Sequence, residues 1–167
     1  DVEHWQSDPD APCLERHRMD ASVLAPQVSA PDSPAQAQDV NALAGERLDI
    51  AYIGACTGAK IADLRMAASV LQGRHTAPGT RLLLAPASLQ DQRQAQEEGT
   101  LATLLAAGAE LLPSACGACA GYGANTFGEN MTAISTTARN FKGRMGAASS
   151  RVFLASPYTV AASAIRG

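Results

Sequence analysis

The sequence has few aromatics, little charge and few cysteines. Phe, Trp and Tyr make up only 4% of its 167 residues, so a core must be built from Ala, Leu, Val and Ile. Charged residues reach 17% and the formal net charge is -3. That balance lacks the basic surface that nucleic acid would need, and no nucleic-acid partner is expected. Four cysteines are too few for a disulfide-stapled scaffold, and a chain of this length does not need staples. A reducing, cytoplasmic setting follows. No apolar run approaches the ~20 residues of a membrane-spanning helix, so no membrane partner is expected. Asp1-Val2-Glu3-His4-Trp5 has neither the basic nor the apolar region of a signal peptide. The chain also lacks an initiator Met, as a fragment, a processed product or one domain of a longer polypeptide would.

Apolar residues make up 46%, which suits one α/β domain with its own core. Residues 1–47 read as an extended arm or linker, because Pro9, Pro12, Pro26, Pro31 and Pro34 interrupt regular structure. Within the arm, Arg18 to Leu24 suits a short strand and Asp39 to Ala44 a helical turn. Residues 48–167 form the domain. Leu48 to Gly54 and Arg81 to Ala85 are apolar enough for buried parallel strands. Further strands are expected at Ala109–Leu112, Thr132–Thr136 and Val152–Ala155. A helix from Ile61 ends before Gly73, Ser88 caps one reaching Glu98, and Thr100 caps Leu101–Ala107. Pro157 opens the last, Tyr158–Ile165. This alternation predicts a three-layer α/β fold, with a parallel or mixed sheet and helices on both faces.

Cys116-Gly117-Ala118-Cys119 is the only close cysteine pair. Cys56 ends the apolar run Ile50 to Ala55, at a strand-to-helix turn where a helix N-terminus favours a thiolate. Loops at the carboxyl ends of parallel strands are where such sheets bind ligands. Cys56 and the Cys116/Cys119 pair both follow predicted strands and are expected at one rim. Three converging thiols suit a metal or iron–sulfur site, a zinc site or a thiol-redox pair. The bland alternatives are a buried structural Cys56 and an unmetallated reduced pair. Cys13 stands apart in the polar arm and is read as incidental. Arg139 and Arg144, on a loop after a strand, can grip carboxylates bidentately, or they can be solvated surface cations. Arg139 is expected to be the more buried, with Phe141 packed into the core to pin the loop and Gly143 turning it. Ser156 is a site hydroxyl or a helix N-cap. His4, His17 and His75 join no recognisable triad.

Several segments together resemble the aconitase family, closest in flavour to large subunits of 3-isopropylmalate dehydratases. Ile53-Gly54-Ala55-Cys56-Thr57-Gly58 is similar to that family's Ile-Gly-Ser-Cys-Thr-Asn turn, with Ala62-Asp63-Leu64-Arg65 in register behind it. Pro86-Ala87-Ser88 resembles its Pro-Gly-Ser turn. Ala115-Cys116-Gly117-Ala118-Cys119-Ala120-Gly121 resembles Gly-Cys-x-x-Cys-Leu-Gly. Ser135 to Gly146 is similar to Ser-Thr-Thr-Asn-Arg-Asn-Phe-Lys-Gly-Arg-Met-Gly, and Ala155-Ser156-Pro157 matches the last strand and helix. The likeness runs from about Asp20 to Gly167.

The resemblance implies an aconitase-type domain holding a [4Fe-4S] cluster on Cys56, Cys116 and Cys119, with one iron left open as a Lewis acid. It implies a hydro-lyase acting on a hydroxy di- or tricarboxylate such as 3-isopropylmalate, in leucine biosynthesis, with Arg139 and Arg144 on the substrate. It also implies partners outside this chain: an N-terminal half of the large subunit and a small swivelling subunit or domain. No catalytic acid or base is assigned within the chain, which alone is expected to be inactive. The sequence departs from the family at Ala55, Gly58, Ala115 and Ala138. The other readings are a non-catalytic or regulatory iron–sulfur domain and a zinc or thiol-redox domain.

Overall fold

The computed structural model describes residues 5–167. Seven strands form one mixed sheet: β1 (Gln27–Ser29), β2 (Ala37–Asp39), β3 (Ile50–Gly54), β4 (Arg81–Ala85), β5 (Ala109–Leu111), β6 (Thr132–Ser135) and β7 (Arg151–Leu154), in the order β2-β1-β7-β6-β3-β4-β5. Strands β3 to β7 are parallel throughout. β1 pairs antiparallel with β2, and touches β7 through the single pair Ser29↔Leu154. Every residue of β3 and β6 is buried, as expected of central strands covered on both faces.

Four α-helices follow the strands: α1 (Ile61–Leu71), α2 (Leu89–Glu97), α3 (Thr100–Ala106) and α4 (Pro157–Arg166). Ser88 accepts from Asp91 N and caps α2, whereas Gly99, left-handed at φ 84°, rather than Thr100, precedes α3. The three-layer α/β architecture stands, with one correction. All four α-helices pack on one face, against Ala51, Ile53, Leu82, Leu84, Ile134 and Phe153. The other face, with Ile50, Tyr52, Leu83 and Ala133, is covered by Ala118, Phe127 and Met145 from loops and a short 3-10 helix, Gly117–Ala120. Connection handedness accounts for this. β3→β4→β5 steps one way along the sheet and β5→β6→β7 the other, so right-handed crossovers fall on opposite faces. The second pair of crossovers contains no α-helix.

The expected arm is also shorter than residues 1–47. Ala21–Val23 is a 3-10 turn capped by Asp20, not a strand. Residues 27–39 join the sheet as a hairpin, with Pro31 and Pro34 in its loop, where a missing N–H costs nothing. Val28 is buried in the core. The expected turn after Asp39 is the 3-10 helix Val40–Leu43.

Candidate functional site

Parallel strands place the loops after β3, β5, β6 and β7 at one end of the sheet. The direction of growth reverses between β3 and β6, which makes a crevice at their carboxyl ends. Thr136, just past β6, locks its mouth. Its hydroxyl accepts from Gly54 N at 2.9 Å and donates to Gly54 O at 3.1 Å. Cys56 lies exposed on the turn above, where Ala55 takes the left-handed φ of 76°. Gly58 closes this turn so tightly on β6 that a Cβ there would lie 2.0 Å from Thr136 O. Its departure from the family pattern thus has a packing reason here. α1 begins only at Ile61, and its N-terminal amides are already engaged: Lys60 N donates to Asp63 (3.0 Å) and Ile61 N to Asp91 (2.9 Å). The helix therefore starts past Cys56 rather than at it.

After β5, Leu112 N donates to Leu84 O at 2.7 Å, and the chain then folds back over the sheet. Cys116 is exposed at the head of the 3-10 helix and Cys119 is half-buried within it, while Ala118 anchors the helix to the core. Arg144 latches this loop to the one after β6: its Nε donates to Cys119 O at 2.9 Å. Gly121 permits the approach, since a Cβ there would sit 2.8 Å from Arg144 O. The thiols share one electrostatic neighbourhood. Burial pushes the Cys119 thiol up, Arg144 pulls it down, and the charges of Cys116 and Cys56 push it up again. Tyr52 lies beneath them and is pushed up to about 12, by burial first and then by the charges of Cys119 and Cys116.

The structure thus brings Cys56, Cys116 and Cys119 to one rim, while Cys13 is exposed and, among the described residues, hydrogen-bonds with Ala11 and Arg16 of its own segment. Among the described residues, no group of three or more His, Cys, Asp or Glu is placed to hold a single metal ion. The soft three-thiol donor set fits a larger iron–sulfur cluster better than zinc, which draws four ligands in to about 2.0–2.3 Å. A second observation agrees: Ser114 Oγ, two residues before Cys116, is buried with no hydrogen-bond partner among the described residues. An unused donor beside the thiols suits a sulfur-rich group, whose sulfurs accept hydrogen bonds.

The arginine loop differs from expectation. Arg139 is exposed and Arg144 half-buried, the reverse of the predicted order. Phe141 does not pin the loop; it is 51% exposed. Asn140 does, at 1% exposure, by donating to Ala30 O (2.7 Å) and Val152 O (2.9 Å). Beyond it the chain turns under the cysteine loop, with Phe127 N on Met145 O at 2.8 Å and Ala147 N on Phe127 O at 2.9 Å. That return buries Arg144. Among the described residues neither arginine pairs with a carboxylate. Ser156 is the N-cap of α4, accepting from Thr159 N at 3.3 Å. His17 pairs with Glu15 on the surface and His75 is exposed, whereas His4 lies outside the described residues. Tyr52, Ser114 and Asn140 were missed as site residues. Only Asn140 stood inside a recognisable motif.

Residues 38–167 match the model of the aconitase family (aconitate hydratase). The chain is 44% identical over 160 residues to the homoaconitase large subunit of Thermus thermophilus, covering 96% of this chain and 38% of that protein. It is 41% identical over 162 residues to the 3-isopropylmalate dehydratase large subunit of Mycolicibacterium smegmatis, covering 96% and 38%. It is 42% identical over 168 residues to 3-isopropylmalate dehydratase large subunit 1 of Deinococcus radiodurans, covering 100% and 39%. The chain spans about two fifths of the length of the curated relatives it matches.

Proposed function

The chain belongs to the aconitase family, and from that membership we propose that it is the cluster-bearing part of an iron–sulfur hydro-lyase acting on a hydroxy di- or tricarboxylate. Family membership implies an iron–sulfur cluster. The finer reading is a [4Fe-4S] cluster on Cys56, Cys116 and Cys119. The bound cluster would supply Lewis acidity at an iron that no protein thiolate occupies. The observation that carries this reading is the meeting of three thiols on one rim, at the point where strand order reverses, latched to a motif arginine.

The chain's own residues bind and orient. Gly117 and Gly121, both at positive φ, let the backbone curl tightly around the thiols. Arg144 spends Nε on Cys119 O, which leaves its terminal nitrogens for a substrate carboxylate. Arg139, exposed on the loop after β6, takes a second carboxylate, so that the hydroxyl to be eliminated is held in one orientation. No proton-transfer residue is assigned within this chain. That machinery belongs to an upstream half and a small subunit, in line with the large-subunit names of the relatives. The 3-isopropylmalate reading places the protein in leucine biosynthesis and the cytoplasm. Among the described residues no helix is long and apolar enough to cross a membrane.

Anaerobic reconstitution with ferrous iron and sulfide tests the ligand set. Cys13→Ser should bind as much iron and sulfide as the parent and Cys119→Ser much less. Equal loss in both would show that the wrong three thiols were chosen. In the complete enzyme, Arg139→Lys should lower kcat strongly at unchanged cluster content, because an ammonium cannot make the bidentate contact.

A further inference from the structure

Residues 5–25 carry apolar side chains that the described residues leave uncovered. Trp5, Leu14, Met19, Val23 and Leu24 are exposed by 64% to 101%. The hydrogen bonds of this segment are local, as in Ala11 N on Asp8 O, Arg16 on Cys13 and Leu24 N on Ala21 O. The first tie to the rest of the domain is Val40 N on Pro26 O, at 2.9 Å. A solvated linker is polar, so apolar groups this dense mark a surface made to be covered. Pro26 also lines a groove of about 670 Å³. Ile134 and Phe153 of the sheet form its floor, Tyr158 and Ala162 of α4 one wall, and Leu43 the other. α4 lies over β3 and β6. Beyond it, toward β7 and β1, the helix-bearing face carries only the 3-10 helix Val40–Leu43 among the described residues. A sheet face needs a full layer over it, and here that layer is one rod short. Tyr158 and Ala162 stand four residues apart on one side of α4, and the small Ala162 lets a second helix come close.

We infer that this groove and the exposed arm are the docking surface for the part of the large subunit that lies outside this chain, and that the groove takes an amphipathic helix from it. This rests on the large-subunit reading proposed above. The length outside the chain favours that occupant: the chain covers only 38% to 39% of the large subunits it matches, so most of such a subunit is left to lie against it. Position favours it too. The groove runs beside α4, not at the carboxyl ends of β3 and β5 where the cysteines follow, so a helix seated in it leaves that rim open to substrate.

The test compares this chain alone with the complete large subunit, by hydroxyl-radical footprinting read by mass spectrometry at Met19 and Tyr158, both exposed here. Sedimentation velocity gives the oligomeric state of each, and iron and sulfide are assayed after anaerobic reconstitution. The expected result is a monomeric chain in which Met19 and Tyr158 are readily modified, and a complete subunit in which modification of both is lost. Ala162→Glu separates docking from folding. Ala162 is exposed on α4, so the variant chain alone should melt with the parent, whereas in the complete subunit it should restore modification of Tyr158. Equal modification of Met19 and Tyr158 in the two forms, with iron and sulfide bound, would overturn this inference and leave the cluster reading standing. A chain that dimerises and protects Tyr158 by itself would also overturn it, since a second copy would then be the occupant. Protection in a complete subunit that takes up no iron and sulfide would overturn the cluster reading and leave the docking surface standing.

Discussion

Asn140 holds together parts of the chain that the sheet alone barely joins. β1 meets β7 through one register pair. Beside it the Asn140 amide bridges Ala30 O, just past β1, and Val152 O on β7, while Asp32 N donates to Asn140 O at 3.2 Å. One side chain thus supplies the ladder bonds that the short β1 lacks. In Asn140→Ala both amide bonds vanish and two carbonyls lose a donor in a dry setting, a loss of about 3–4 kcal/mol. Removing Asn140 Oδ1, which is buried without a partner, returns about 1 kcal/mol. The net destabilisation is about 2–3 kcal/mol. With an m-value of about 2 kcal/mol/M, the urea midpoint should fall by about 1–1.5 M. Asn140→Asp should be worse, because its carboxylate would face two carbonyls. Amide hydrogen exchange should show protection lost first at Ala30 and Asp32, with β3 and β4 unaffected. A midpoint shift below about 0.3 M would refute the reasoning, as would exchange rising evenly over the whole sheet.

Restoring the family's side chain in Gly58→Asn should destabilise the chain by about 1–3 kcal/mol in a thermal melt, because the new Cβ meets Thr136 O. Gly146→Ala should be as damaging, since a Cβ there would lie 2.2 Å from Phe127 O and the backbone sits at φ 149°. Arg144→Lys should slow cluster assembly, followed by visible absorbance, because the latch on Cys119 O is lost. Arg65 holds the Glu98 carboxyl down at about 2, from an ordinary 4.5. The stability from this pair is fully present above pH 4.5 and is lost as pH falls through about 2, so Arg65→Met should flatten that part of the stability–pH curve.

The parts of the fold that were legible are those where one signal dominates. β3 and β4 are apolar runs because both faces are covered, and β4 was located to the residue. Helix starts at Ser88 and Pro157 were legible because caps act locally. β7 was started one residue late. Arg151 opens it as an exposed residue whose head pairs with Glu46 (2.9 Å) and lies 5.4 Å over the Phe153 ring, so a charged residue can sit in a strand by keeping its head outside. The helix-bare face was not legible, because element order does not reveal which way the sheet grows. The hairpin at 27–39 was hidden by its prolines, which mark breaks equally well in a loop and in an arm.

The same distinction governs the site. The cysteines could be placed because each follows a strand in a parallel sheet, where topology alone delivers a residue to the rim. The arginines could not be ranked, because burial within a loop is decided by close backbone approaches such as Gly121 on Arg144 and Gly146 on Phe127. The choice of anchor shows why. Phe141 has the greater apolar area, which on hydrophobicity alone is worth about 2–3 kcal/mol when buried, yet Asn140 takes the seat. That seat is walled by the carbonyls of Ala30 and Val152. A phenyl ring there would leave both without donors, at about 1–3 kcal/mol each, which cancels or exceeds what its area contributes. An amide satisfies both through its two N–H groups. Phe141 is therefore turned outward, 51% exposed, beside Arg139. The polarity of the seat, set by carbonyls just past β1 and on β7, selects which residue of Arg139-Asn140-Phe141 goes in, and so fixes which way the arginines on either side can point.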